Sequence, residues 1–190
     1  MGIHAENKIF SYKDLRDWPQ NERWELYAGE AIAMSAPTRK HQAIVGYTFR
    51  KIAAYIDSTK CKIYTAPFDV RFPETNERDD AITTVLQPDI TIVCDEKKLD
   101  LKGCRGAPDV IFEILSPETE KSDQTTKLKI YEKAGVNEYW ILHPKDQIAF
   151  QLVLKDGLYK DALVFSHDDA PHMFTFPEFA LPLNEIFAAE

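Results

Sequence analysis

The chain of 190 residues holds only seven glycines, three cysteines and no long apolar run, and its 23 basic residues fall short of its 31 acidic ones, for a net charge of −8. Each shortage excludes something. No Gly-rich phosphate loop is present, which argues against nucleotide cofactors. An odd number of cysteines (Cys61, Cys94 and Cys104), with no C-x-x-C pair, suggests neither a disulfide framework nor a zinc knuckle; reduced thiols in a cytoplasmic protein are the expectation. No stretch approaches the roughly 20 apolar residues of a membrane span. The negative balance is wrong for a protein that coats nucleic acid nonspecifically, although it leaves room for a local basic cleft.

At this length one domain, residues 1–190, is expected, large enough to bury its own core. Ser11 followed by Asp14 marks a short helix ending before Pro19. Residues 22–35 read as an N-terminal hairpin around Ala28-Gly29, and residues 39–57 as a long amphipathic helix. Strand patterns follow at 62–65, 68–72, 85–94, 109–115 and 138–142. A helix capped by Ser122 and stopped by Gly135 interrupts them. A C-terminal hairpin turns at Asp156-Gly157, and 183–187 forms a last helical turn. The acidic run 73–80 has no hydrophobic period and reads as a solvated loop. The strands at Phe68, Val85, Asp109 and Glu138 are expected to build one mixed central sheet flanked by the two longer helices, an α/β fold.

What is present is more telling. The runs Gln87-Pro88-Asp89-Ile90 and Val110-Ile111-Phe112-Glu113-Ile114-Leu115 each set an acid into an apolar strand, where an unpaired carboxylate costs several kcal/mol. Period two places Asp89 on one face of its strand and Glu113 on one face of the next, so paired strands bring the two together. Two close carboxylates repel unless a proton or a cation sits between them. Mg²⁺ or Mn²⁺ suits such a minimal acid pair and points to phosphodiester cleavage. A Ser or Cys hydrolase has no support, since Ser116 has no glycine elbow.

Several runs together resemble the PD-(D/E)XK nuclease superfamily and, within it, the Uma-type family of restriction-endonuclease-like proteins. They are Trp24-Glu25-Leu26 to Gly29-Glu30, His41-Gln42, Ala66-Pro67-Phe68-Asp69-Val70, Gln87-Pro88-Asp89, Gly106-Ala107-Pro108-Asp109, Glu113-Ile114-Leu115-Ser116-Pro117, the series Asp123, Lys127, Tyr131, and Gly135-Val136 to Glu138-Tyr139-Trp140. The resemblance implies a restriction-endonuclease-like core and a metal-dependent nuclease acting on DNA, with Asp89 and Glu113 as ligands of Mg²⁺ or Mn²⁺. The superfamily's lysine usually stands two residues after the second acid, where this chain has Leu115. The resemblance moves that role to Lys127 on the following helix; the alternative is a structural Asp123–Lys127 pair. Glu25 or Glu30 completes the metal shell, or belongs to a solvated strand face. His41 contacts phosphate, or caps and packs. Basic residues at Arg39-Lys40 and at Lys121, Lys127, Lys129 and Lys133 suit a DNA cleft, or are ordinary charged helix faces. A homodimer matched to duplex symmetry is expected, with the exposed C-terminal hairpin and the tail of Phe174, Phe176, Phe179 and Phe187 available for its interface, although core packing is the expected use of most of these rings. The alternative function is a catalytically inactive nuclease-like module that binds DNA or protein.

Overall fold

A computed structural model describes residues 8–19, 21–116 and 123–189. The Ser11 amide and hydroxyl both donate to Asp14 Oδ2, at 2.9 and 2.8 Å, and fix the start of helix α1 (Tyr12–Asp17). Strands β1 (Trp24–Tyr27) and β2 (Glu30–Ala33) form the N-terminal hairpin, whose turn places Ala28 and Gly29 at positive φ. Thr38 Oγ1 accepts the amide of His41 and begins α2 (Arg39–Ile56), which buries Ile44, Val45, Thr48, Ile52 and Ile56 along one stripe.

Strands β3 (Lys62–Thr65), β4 (Val70–Arg71), β5 (Val85–Leu86) and β6 (Ile90–Val93) follow, then the small hairpin β7 (Leu99–Asp100) with β8 (Gly103–Arg105), and then β9 (Val110–Ile114). A π-helical turn, Asp123–Lys127, leads into α3 (Leu128–Ala134), which stops where Gly135 adopts φ 89°. Strands β10 (Glu138–His143), β11 (Ile148–Lys155), β12 (Leu158–Tyr159) and β13 (Leu163–Ser166) and helix α4 (Leu183–Phe187) complete the chain. The Ser122 cap lies outside the described residues.

Two mixed sheets share this chain. One runs β2-β1-β5-β4-β8-β7, with β4 and β8 parallel; the other runs β12-β11-β10-β9-β6-β3, with β9 and β10 parallel and β13 paired to β11. The second sheet is the centre of the fold. Its strands alternate side chains between two faces: Ile90, Ile92, Phe112, Trp140 and Leu142 pack under α2, while Val93, Ile111, Tyr139 and Ile141 pack against Tyr131 of α3. A third cluster, Tyr12, Leu26, Ile82 and Val85, joins α1 to the first sheet.

The α/β class, the flanking helices, both hairpins and the core packing of most C-terminal phenylalanines stand as expected, and three details do not. The run 85–94 is two strands in two different sheets, because Pro88 has no amide to give to a ladder and the chain crosses over at Gln87-Pro88-Asp89. The strands at Phe68 and Val85 therefore belong to the first sheet and those at Asp109 and Glu138 to the second. Cys61 and Cys94 are disulfide-bonded rather than free: β3 pairs with β6 through Lys62↔Val93, and the next pair outward in that register brings the two cysteines to a Cα separation of 3.9 Å. Three of the four C-terminal phenylalanines are core residues. Phe176 and Phe187 are buried and Phe179 packs against them, which leaves Phe174 exposed. The acidic loop also does structural work, since Asp79 pairs with the fully buried Arg71 at 2.6 Å.

Candidate active site

Strands β6 and β9 pair antiparallel through Ile90↔Phe112. One step further in this register Asp89 faces Glu113, and there the ladder gives way: the amide of Ile114 donates to Asp89 Oδ2 at 2.8 Å. The crossover at Pro88 thus frees the Asp89 side chain to hold the end of its neighbour strand while lining a cleft. The same oxygen stands 3.1 Å from His41 Nε2, so the first turn of α2 also orients this carboxylate. His41 is buried and lies within reach of the cleft, which makes its observed contact one with an acid.

Glu113 projects from the opposite face to α2 and is 2 % exposed. Its Oε1 accepts from Lys127 Nζ at 2.8 Å and from the Tyr131 hydroxyl at 2.7 Å. Lys127 and Tyr131 are four residues apart, one helical turn, so a single helix face delivers both donors. Lys127 is 3 % exposed and its ammonium also lies 3.6 Å from Glu25 Oε1. Its partners are therefore acids of two different sheets; the alternative partner Asp123 has a side chain outside those described.

Glu25 is no solvated-face residue. It is 3 % exposed, accepts the Gln87 amide on Oε1 and the Tyr27 hydroxyl on Oε2, both at 2.8 Å, and joins the cleft from β1. Glu30 is not brought into this group: it is exposed on β2 and lines a separate groove beside α3. Burial pushes the Tyr131 and Tyr27 hydroxyls well above their ordinary value, with the neighbouring carboxylates adding to the shift, so both remain hydrogen-bond donors at neutral pH.

Sequence reasoning did not single out Gln87 or Tyr27. Gln87 ties the site to its surroundings, accepting from Arg23 at 3.0 Å and donating to Asp69 at 2.9 Å. The available signal was spacing: Gln87 and Asp89 lie two apart on one strand pattern, as do Glu25 and Tyr27.

Among the described residues the cleft, about 180 Å³, is lined by three carboxylates (Glu25, Asp89, Glu113) against one ammonium (Lys127) and one guanidinium (Arg23), a surplus of one negative charge with histidine left out of the count. Among the described residues no three His, Cys, Asp or Glu groups form a ready cage for a metal ion. The donor set nevertheless fits Mg²⁺, which needs one or two carboxylates and completes its shell with water and substrate phosphate. Asp89 and Glu113 are the two that would hold it.

The profile of the Uma2 family, described as "Putative restriction endonuclease", matches residues 12–184. An uncharacterized protein of Synechocystis sp. (strain PCC 6803), slr1290, is 21 % identical over 137 residues, covering 72 % of this chain and 68 % of that protein. The crystal structure of a "putative nuclease belonging to DUF820" from Anabaena variabilis is similar at a TM-score of 0.75 and 20 % identity, covering 94 % of this chain and 98 % of that one. At that identity the likeness is one of fold.

Proposed function

The chain belongs to the Uma2 family, restriction-endonuclease-like by description, and on that premise we propose that it is a metal-dependent nuclease that hydrolyses DNA phosphodiester bonds at the Asp89–Glu113 cleft. The observation that supports this best is the meeting of Asp89 and Glu113 across β6 and β9 with Lys127 Nζ 2.8 Å from Glu113. No helix of the described residues is long and apolar enough to cross a membrane.

In this reading Asp89 and Glu113 would hold Mg²⁺ or Mn²⁺, which when bound would supply Lewis acidity toward water and the phosphate. Lys127 has the chemistry to hold the attacking water or to neutralise the charge that builds on the phosphoryl oxygens. Glu25 gives that ammonium a second anchor, His41 and the Ile114 amide fix the Asp89 rotamer, and Tyr131 steadies Glu113. Water adds to phosphorus, one P–O ester bond breaks, and the released strand end takes up a proton. A homodimer would set two such sites on the two strands of a duplex.

The test is incubation of supercoiled and linear DNA with Mg²⁺ or Mn²⁺, comparing wild type with Asp89→Ala. Cleavage by wild type alone supports the reading, and equal cleavage by both proteins overturns the assignment. No cleavage by either, with no metal bound in calorimetry, favours the inactive module, a reading for which the Lys127–Glu113 pair is the supporting observation: an ammonium already neutralises that acid.

A further inference from the structure

Two further cavities adjoin the cleft that holds the acid pair, one sharing Tyr27 and Ile32 with it and the other Thr38, His41 and Ser116, and the charges of the three differ. The catalytic cleft has the surplus negative charge described above. The groove beside α3 is balanced, with Glu30 and Glu74 against Lys129 and Lys133, and Lys133 is already paired with Glu74 at 2.5 Å. The third, about 190 Å³, lies between the start of α2 and the turn that joins β10 to β11. Among the described residues its charged side chains are Lys40 and Lys145, both exposed, and its other titratable groups are His41 and His143.

Among the described residues no carboxylate lines this third cavity; Asp89 and Asp146 stand against its two histidines, 3.1 Å from His41 Nε2 and 3.6 Å from His143 Nδ1. The first turn of α2 carries no acid either. In a chain of net charge −8 a cavity whose described charged lining is two exposed lysines is a local inversion of sign. It is also contiguous with the catalytic cleft, since Thr38, His41 and Ser116 line both. Lys40 reaches across toward the far wall, its Nζ 3.4 Å from the carbonyl oxygen of Pro144. Leu115 and Pro144 supply an apolar floor.

From this arrangement we infer that the cavity is a phosphate subsite, which takes a phosphate group of the nucleic-acid strand next to the one at Asp89 and Glu113, with Lys40 and Lys145 as its counter-charges and the apolar floor under the adjoining sugar. The inference rests on the nuclease reading for its substrate class. A polyanion crossing an acid-rich cleft needs a cationic exit, and of the two cavities that adjoin the cleft this one presents lysines with no carboxylate in its described lining.

The experiment measures binding rather than cleavage, so that it separates from the catalytic proposal. Fluorescence anisotropy follows a short labelled single-stranded oligonucleotide, with or without a 5′-phosphate, in Ca²⁺ at two salt concentrations. The Lys40→Ala/Lys145→Ala variant, changed only at exposed side chains, is expected to bind roughly tenfold more weakly, with a salt dependence shallower by about 0.7 in the log–log slope for each lost phosphate contact. Lys129→Ala/Lys133→Ala, in the balanced groove, should bind within about twofold of wild type. A loss confined to the 5′-phosphorylated probe identifies a terminal phosphate, and an equal loss on both probes an internal one; either supports the subsite. Wild-type affinity in the Lys40/Lys145 variant, an equal loss in the Lys129/Lys133 variant, or no binding by wild type overturns it. Lysine-dependent binding without any cleavage would keep the subsite and remove the nuclease reading.

Discussion

Two buried glutamates of the same sheet, on neighbouring strands, make opposite use of the same expensive group. Glu113 on β9 and Glu138 on β10 are 2 % and 0 % exposed, and each interrupts an apolar strand. Glu138 faces the α2 side and is saturated by neutral donors: Trp140 Nε1 at 2.7 Å, Gln151 Nε2 at 2.8 Å and the amides of Phe174 and Thr175 at 2.9 and 2.7 Å. Glu113 faces the other side, borders a cleft, and takes a lysine and a tyrosine beside two further acids. Burial of an acid is thus no sign of a site by itself. A carboxylate closed off by N–H groups clasps chain segments, here the C-terminal stretch around residues 174–175, whereas one paired with an ammonium at the edge of a cleft has the surroundings for chemistry.

The largest expected effect tests the open side of this contrast. Glu113→Gln or Asp89→Ala should lower metal-dependent DNA cleavage on the order of a thousandfold, read by gel assay, because either change removes a ligand charge that no neighbour replaces. The same assay on Glu138→Gln should show wild-type rates for whatever fraction is folded. Loss of chemistry at Glu138 equal to that at Glu113 would erase the distinction.

The closed side comes next. Glu138→Ala takes the acceptor from the Trp140 indole and the Phe174 and Thr175 amides, leaves Gln151 Nε2 with the His172 carbonyl, and should cost about 4 kcal/mol in urea unfolding, with no recovery on adding Mg²⁺ or Mn²⁺. A cost near zero would mean that the C-terminal stretch does not depend on this clasp.

How much of this contrast can be read from sequence depends on what each part rests on. The convergence of Asp89 and Glu113 follows from period two once the strands are neighbours, and Lys127 with Tyr131 follows from helical spacing. Glu25 was ambiguous because its partners Gln87 and Lys127 reach it from the crossover that follows β5 and from the π-helical turn before α3. Pro88 was visible, but a strand pattern continuous from 85 to 94 hid the crossover between two sheets. The Cys61–Cys94 bond required the β3–β6 register, and the role of Glu138 required knowing that residues 172–175 return to it. Local periodicity was legible; long-range pairing was not.

Lys127→Met sharpens the comparison from the cation's side. Removing the ammonium leaves Glu25 and Glu113 buried without their shared counter-charge, so the metal-free protein should lose about 3 kcal/mol. Mg²⁺ or Mn²⁺ should return part of that loss and raise the melting temperature of this variant more than that of wild type, because a divalent ion takes over the same electrostatic task. An identical metal response in both proteins would separate Lys127 from the metal position.

Tyr131→Phe carries the smallest change and the finest distinction. It deletes one hydrogen bond to Glu113 and keeps the ring that packs on Tyr139 at 4.9 Å, so the cost at neutral pH should be about 1 kcal/mol. Its signature lies in alkali. Burial holds the Tyr131 hydroxyl far above the ordinary value of 10.0, so the folded protein keeps its proton where the unfolded chain gives it up. The stability associated with that proton is fully present below pH 10 and drains away as pH rises from there toward the folded value. Phenylalanine cannot ionise in either state, so the variant's unfolding free energy should fall less steeply above pH 10 than that of wild type, and the two curves should converge. Parallel curves would show that the hydroxyl is not the buried donor that steadies Glu113.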